Sequence, residues 1–416
     1  MKAPKILLLA ALSGFFIANF ASAQTWTTTD APNIYCQTIA SSADGTKLVL
    51  TSAQVAFHPF TTYDSAVFNS TNSGSNWTQT SAPTNEAWIG VASSADGVKL
   101  VAVSGATGSI YVSTNSGFTW IQSSAPATNW LAIASSADGN KLAATIGQGY
   151  GFGNPGPIYF STNSGATWTQ SIAPNANWYS IASSADGTKL VVAGDGGAIN
   201  TPSGIGWIYT STNSGATWTQ TSAPSNNWLS VSSSPDGSKL AAAVVEDFQN
   251  NLTTGEIYIS TNFGTTWTQA DVTNENWASI VSSADGTKLV ALAGASGRVY
   301  VSTNSGVAWT LAGAPRVSWQ SAASSADGNR LTAVIAGGLI STAYSTPSPT
   351  LFIAPTNGNY NLSWIVPSTN FVLQQSADLS SWTDLPNQPV LNLANLQNQV
   401  MLPLPAGNAF YRLKTP

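Results

Sequence analysis

Ser184-Ala185-Asp186-Gly187-Thr188-Lys189-Leu190 decides the fold, because the same phrase, a Ser-Ala-Asp-Gly or Ser-Pro-Asp-Gly turn followed by a basic residue and Leu, stands seven times in the chain. The copies centre on Asp44, Asp96, Asp138, Asp186, Asp236, Asp285 and Asp327, at steps of 52, 42, 48, 50, 49 and 42 residues. A period of about 40 to 50 residues with tight turns is that of a four-stranded propeller blade. Around Asp186 the unit reads as four short strands: Trp178 to Ser183, Lys189 to Ala193, Ile208 to Ser211 and Thr217 to Gln220. Asp-Gly and Asn-Ser-Gly supply the positive φ angles of tight hairpins, and the β-branched and aromatic flanks suit a pleated surface. The variable stretch lies between the second and third strands.

The pieces predict a closed ring. The phrase Ser-Thr-Asn-x-Gly-x-x-Trp occurs six times, ending in Trp77, Trp120, Trp168, Trp218, Trp267 and Trp309, while the seventh unit breaks off at Ser345-Thr346-Pro347. Its missing outer strand stands at the other end, where Thr25-Trp26-Thr27 matches Thr217-Trp218-Thr219. The expectation is an all-β chain: a seven-bladed β-propeller over residues 24–346, closed by the N-terminal strand, then a small β-sandwich over 347–416. Closure removes free sheet edges. A second series, Trp88, Trp130, Trp178, Trp228, Trp277 and Trp319, opens the first strands, with Tyr35 expected in that place in the first unit. These residues are expected to wedge between blades, each burying on the order of 150–250 Å².

Composition narrows the setting. Residues 1–23 read as a secretory leader: Lys2 and Lys5, an apolar run from Ile6 to Phe20, and Ala21-Ser22-Ala23 at the cleavage site. The expected product starts at Gln24 and is secreted, periplasmic or held at the cell surface, without a lipid anchor or a membrane span. Without the leader, 11 Lys and Arg face 18 Asp and Glu, a net charge of −7 that argues against nucleic acid. The one cysteine, Cys36, has no partner for an internal disulfide and is expected as a small core residue.

Ser211-Thr-Asn-Ser-Gly-Ala-Thr-Trp218 resembles the Asp-box (BNR repeat) of sialidases, sortilin-type receptors and the photosystem II assembly-factor family, with Asn where those families usually carry Asp. The resemblance spans about residues 25–346 and implies a propeller in which the box is a structural turn. Sialidase activity would need three arginines, a Tyr nucleophile with an acidic partner and an Asp acid/base. Only Arg298, Arg316, Arg330 and Arg412 are present, and Arg330 fills the slot Lys takes in the other units. The basic patch of the assembly factors is also missing from this acidic chain. After the break at Pro347-Ser348-Pro349, the stretch Phe371 to Trp382 and the ending Phe410-Tyr411-Arg412-Leu413 resemble a C-terminal module of exported proteins from Verrucomicrobia and Planctomycetes.

The variable loops hold the unusual residues. His58, Phe60, Tyr63 and Asp64, then Tyr150 and Phe152, Asp195 and Trp207, and Glu246, Asp247 and Phe248 mix aromatics with carboxylates. Of these, His58, Tyr63, Tyr150, Phe152, Asp195, Trp207, Glu246 and Asp247 are the expected ligand-binding residues, and Glu86, Glu275 and Arg316 are expected to rim the central channel. No catalytic residue, metal ligand or cofactor is expected: His58 has no second histidine. The expected function is an exported, non-enzymatic, monomeric propeller binding a glycan or extracellular protein through the variable face. The alternatives are a polysaccharide-acting hydrolase or lyase, which would need two carboxylates about 5 to 10 Å apart, and a purely structural exported protein.

Overall fold

A computed structural model describes residues 6–8, 25–29, 34–53, 65–105, 107–147, 155–195, 206–245, 255–335, 340–344, 350–356, 358–366, 371–405 and 408–414. The chain is all-β: nine four-stranded sheets, with no helix among the described residues. Seven of the sheets are antiparallel and follow one repeat each. Their innermost strands lie side by side in order, Cys36–Ser41, Trp88–Ser93, Trp130–Ser135, Asn177–Ser183, Trp228–Ser233, Trp277–Ser282 and Trp319–Ser324, and the last lies against the first. In the seventh sheet Thr25–Thr28 pairs antiparallel with Ile340–Tyr344, Trp26 opposite Ala343, so the chain's start supplies the outer strand.

The recurrent phrase explains itself in the turns. Ser42 Oγ donates to Asp44 Oδ1 at 2.6 Å, and the same carboxylate accepts the Thr46 amide at 3.0 Å. Ser42 Oγ in turn accepts the Lys47 amide at 3.0 Å. The basic residue serves the next sheet: Lys47 Nζ donates to the Asp96 carbonyl at 2.8 Å, and Lys189, Lys239 and Lys288 repeat the contact on Asp236, Asp285 and Asp327. Its alkyl stem lies across the neighbouring turn glycine. A Cβ on Gly97, whose φ is +66°, would stand 2.7 Å from the Lys47 stem, so only glycine fits. Arg330 closes the series, its stem over Gly45 and its Nη1 donating to Ser73 Oγ at 2.9 Å.

A second ring runs through the backbone of the same turns. Ala43 N donates to Ala95 O, Ala95 to Ala137, Ala137 to Ala185 and Ala185 to Pro235. Ala284 then donates to Ala326, and Ala326 back to Ala43. Pro235 has no N–H, which is the one interruption.

Between sheets, the six first-strand tryptophans are 0–1% exposed. Trp130, for example, packs on Val101, Val103 and Ile110 of the preceding sheet, and its indole donates to Gly108 O at 2.9 Å. In five sheets a tyrosine of the third strand meets the tryptophan edge to face, as Tyr159 does Trp130 at 5.4 Å. The first sheet corrects the expected position. Cys36, opposite Ser52 as Trp88 is opposite Ser104, occupies the tryptophan slot, and Tyr35 is 44% exposed. Strand alternation decides this, since residue 35 falls on the outward phase. Cys36 is fully buried, and burial pushes its thiol up to about 12.

The turn aspartates make stability pH-dependent. For Asp44, Asp138, Asp186, Asp236 and Asp285 burial pushes the pKa up, but hydrogen bonds from the turn serine and the following residue, helped by the neighbouring sheet's cation, hold it below the ordinary value. Asp327 is the exception, raised because burial dominates. A depressed folded pKa contributes stability that is complete above the unfolded value, about 3.9, and lost as pH falls through the folded one. Asp327 acts in the opposite sense, one group against five. Calorimetry from pH 5 to pH 2.5 is therefore expected to show a falling Tm, with a shallower fall in Asp186→Asn. A flat profile would remove the turn carboxylates from the stability account.

The two remaining sheets form the C-terminal module. One orders Phe352–Thr356, Asn359–Ile365, Gln397–Pro403 and Val390–Asn392. The other orders Ile6–Leu8, Ala409–Lys414, Val372–Ser376 and Thr383–Asp384, with Ile6–Leu8 parallel to the C-terminal strand. They share a core of Leu362, Trp364, Leu373, Val400, Leu402 and Tyr411. This module sits on the Asp-Gly turns: Val366 is buried with Ala43 and Ala326, and Ile365, Leu391 and Leu396 pack around them.

Candidate functional site

The ring encloses a channel with two ends of different character. At the Asp-Gly end a cavity of about 180 Å³ is lined by the serines and alanines of the seven turns, and Leu396 of the C-terminal module is part of its wall. At the other end, where the innermost strands begin, the cavity measures about 740 Å³. Val245, Gly294 and Ala295, from connections between second and third strands, line it too, so this end lies on the variable-loop face.

One backbone feature builds the wide mouth. Each of the seven innermost strands shifts register near its start, between Cys36 and Thr38, Trp88 and Gly90, Trp130 and Ala132, Trp178 and Ser180, Trp228 and Ser230, Trp277 and Ser279, and Trp319 and Ser321. A bulge re-aims the extra residue. Here the extra residues are Gln37, Ile89, Leu131, Tyr179, Leu229, Ala278 and Gln320, and all seven line the mouth. In ring order they form an apolar arc over four adjacent sheets, then alanine, then two glutamines on the seventh and first sheets. Just below, Ser180 and Ser230 accept the amides of Val231 and Ile280 across the sheet boundaries, each at 3.1 Å, tying the fourth, fifth and sixth innermost strands together at the mouth. No charged side chain stands among the described lining residues.

The residues expected from sequence fall elsewhere or outside the described residues. His58, Phe60, Tyr63, Asp64, Tyr150, Phe152, Glu246, Asp247 and Phe248 lie outside them. Asp195 ends a second strand opposite Gly206, and Trp207 is half-buried opposite Gly194. Glu86 and Glu275 do not line the channel; they are 3% and 6% exposed and act in the packing. The Thr107 hydroxyl donates to the Glu86 carboxylate, and the Ser65 hydroxyl to its carbonyl. Glu275 Oε1 accepts Arg298 Nη1 at 2.7 Å and the Tyr300 hydroxyl at 3.1 Å. Burial pushes the Glu275 carboxyl up, but Arg298 and these hydrogen bonds outweigh it and hold the pKa low. Arg316 is exposed and is also absent from the lining. Among the described residues no group of three or more His, Cys, Asp or Glu is placed to hold a metal, and no helix is long and apolar enough to cross a membrane.

The seven bulge residues were missed by sequence reasoning. Their one signal is variability: the residue after the first-strand tryptophan is Ile, Leu, Tyr, Leu, Ala or Gln while its neighbours repeat.

No protein-family model matches the chain, and no curated protein does. Solved structures match in shape. YCF48 from Cyanidioschyzon merolae aligns with a TM-score of 0.55 at 12% identity, covering 77% of this chain and 98% of that one. A YCF48 structure bound to a D1 peptide aligns equally, at 0.55 and 12%, over 78% and 97%. An ancestral GH74 enzyme gives 0.57 at 15%, over 83% of this chain and 54% of that one, and the Swd1 β-propeller domain of Myceliophteria thermophila 0.54 at 11%, over 77% and 100%. At these identities the likeness is one of fold: the chain is a β-propeller. The fold serves non-enzymatic proteins and an enzyme alike, so function has to be argued from the site.

Proposed function

We propose that the chain is an exported, non-enzymatic, seven-bladed propeller that binds a glycan or an extracellular protein on its variable-loop face. The observation that carries this reading is the asymmetry of the channel: one end is covered by the C-terminal module, while the other is a 740 Å³ mouth without a charged group among its described lining residues. That volume lies within the roughly 300–1,000 Å³ of ligand pockets. Glycoside hydrolysis by the paired-carboxylate route, with carboxylates such as Glu246 or Asp195, needs two acids facing one pocket, and among the described residues the two buried glutamates are engaged in packing instead. Export rests on the leader-like residues 1–23, whose loss leaves the sheet of Ala409–Lys414, Val372–Ser376 and Thr383–Asp384 without its Ile6–Leu8 edge, and the resemblance of the box turns to Asp-box proteins agrees with a binding scaffold.

The test offers the chain from Gln24 onward to a glycan array and to a phage-displayed library of cyclic heptapeptides, beside Trp207→Ala and, as a control on an outer hairpin, Phe118→Ala. Saturable binding to one class, weakened in Trp207→Ala and kept in Phe118→Ala, is expected. Binding to neither class, or turnover of a bound glycan, would overturn the reading.

A further inference from the structure

The wide mouth has a composition that discriminates between the two ligand classes. Ile89, Leu131, Tyr179 and Leu229 are half-buried, each with part of its side chain still open to the channel, and they come from four consecutive sheets. Gln37 and Gln320 face them from the first and seventh sheets, which adjoin at the ring closure. A charged ligand group entering here would lose its hydration without a counter-charge among the described lining, a cost of several kcal/mol. A sugar is held by exposed aromatic faces and a dense set of directed hydrogen bonds. Of the aromatic residues among the described lining, Trp277 and Trp319 are 0% and 1% exposed, which leaves Tyr179 with an accessible ring. Aliphatic side chains on one side and primary amides on the other suit a polypeptide: an apolar side chain against the arc, main-chain N–H and C=O against the Gln320 amide.

The chain itself shows such an occupant at the opposite end. Leu396 stands in a turn with φ of 53°, a left-handed conformation that costs a leucine roughly 1–2 kcal/mol. From there it packs on Ala43 and Ala326 and forms part of the wall of the 180 Å³ cavity. One end of the channel therefore already carries an apolar residue on a turn in its wall.

We infer that the wide mouth is a socket for a turn or loop of a partner protein that inserts an uncharged, apolar side chain against Ile89, Leu131, Tyr179 and Leu229, with its backbone hydrogen-bonded by Gln320 on the amide side of the mouth. This rests on the binding reading above and narrows it to a polypeptide ligand and to the channel mouth. Two consequences are specific. The described lining contributes no charge pair for ions to screen, so binding carried by it is insensitive to salt, and it is abolished by polarity in the arc without change in charge.

The experiment pans the cyclic heptapeptide library on the chain from Gln24 onward and measures the selected peptides by calorimetric titration at 50 and 500 mM NaCl. Leu131→Gln and Leu229→Gln test the arc, Leu131→Met serves as the conservative exchange, and a melting curve for each variant separates lost binding from lost folding. The expected result is a selected motif with an apolar residue at the turn and an affinity changing less than about twofold with salt. That affinity should fall at least about tenfold in either Gln variant and be kept in Leu131→Met. Should a Gln variant fail to fold, Gln320→Ala, expected to weaken binding several-fold, takes its place. Peptide binding lost in Trp207→Ala but kept in the Gln variants would overturn the socket while leaving the variable face as the site. Glycan binding with no peptide selected would overturn the polypeptide ligand while leaving the binding function. Silence with both libraries would overturn the binding reading as well.

Discussion

Replacing Trp26 by Ala lowers the unfolding free energy by about 2–3 kcal/mol, and removing Thr25–Thr28 altogether produces a chain that associates with itself. Trp26 is the anchor of the strand that completes the seventh sheet. It is half-buried, its ring centroid 5.4 Å from that of Trp319, and it packs against the cluster of Leu331, Ala333 and Ala343. The truncation of so large a side chain leaves a cavity that the paired strand above it cannot collapse to fill. Deletion adds a second effect. Ile340–Tyr344 now has Thr25–Thr28 on one side and Arg330–Ile335 on the other, and without the first it becomes an edge with unpaired N–H and C=O groups. Such an edge is a template for pairing with another chain. Thermal melting of Trp26→Ala against Thr28→Ala, an exposed position expected within about 0.5 kcal/mol of the parent, measures the first effect. Light scattering of the deleted chain at two concentrations measures the second. If both variants melt with the parent and stay monodisperse, the N-terminal strand does not close the ring.

The seventh sheet also shows what kind of information a sequence carries. Thr25-Trp26-Thr27 could be matched to the other outer strands because the match depends only on residue types in order, and the all-β propeller followed from the same repetition. The turn phrase was legible as a hairpin, but the reach of Lys47 to the next sheet's Asp96 carbonyl was not, since a contact between residues 49 positions apart leaves no local trace. Tyr35 was assigned to the tryptophan slot because it is the aromatic residue of its segment, whereas alternation along the strand puts Cys36 there. The register shifts were invisible for a related reason. A bulge displaces a strand against its partner, and no residue type is required at the displaced position, so Gln37, Tyr179 and Leu229 share a location without sharing chemistry. Glu86 and Glu275 misled in the opposite direction: rare charged residues next to variable segments read as functional, and the fold uses them to satisfy Thr107, Arg298 and Tyr300 at buried positions.

Changing Leu396 to Asp detaches the C-terminal module from the ring, and small-angle scattering of the variant shows a larger radius of gyration than the parent. The docking surface is small and uncharged. It consists of Val366, Ile365, Leu391 and Leu396 on one side and turn alanines 43, 95, 284 and 326 on the other. A carboxylate among those alanines would be taken out of water into an apolar contact, at a cost of several kcal/mol. Undocking is the cheaper outcome, because the module keeps its own core around Trp364 and Tyr411. Leu396→Met, with similar volume and no charge, holds the compact form. Leu396→Gly separates the two roles of the residue: it relieves the left-handed backbone, yet removes the side chain that reaches the alanines, so it should loosen the contact without burying a charge. An order of radii with Asp largest, Gly intermediate and Met equal to the parent identifies the leucine side chain as the plug of this end of the channel. Equal radii for all four proteins would show that the module is held by something other than Leu396, and the asymmetry of the two channel ends would then need another cause.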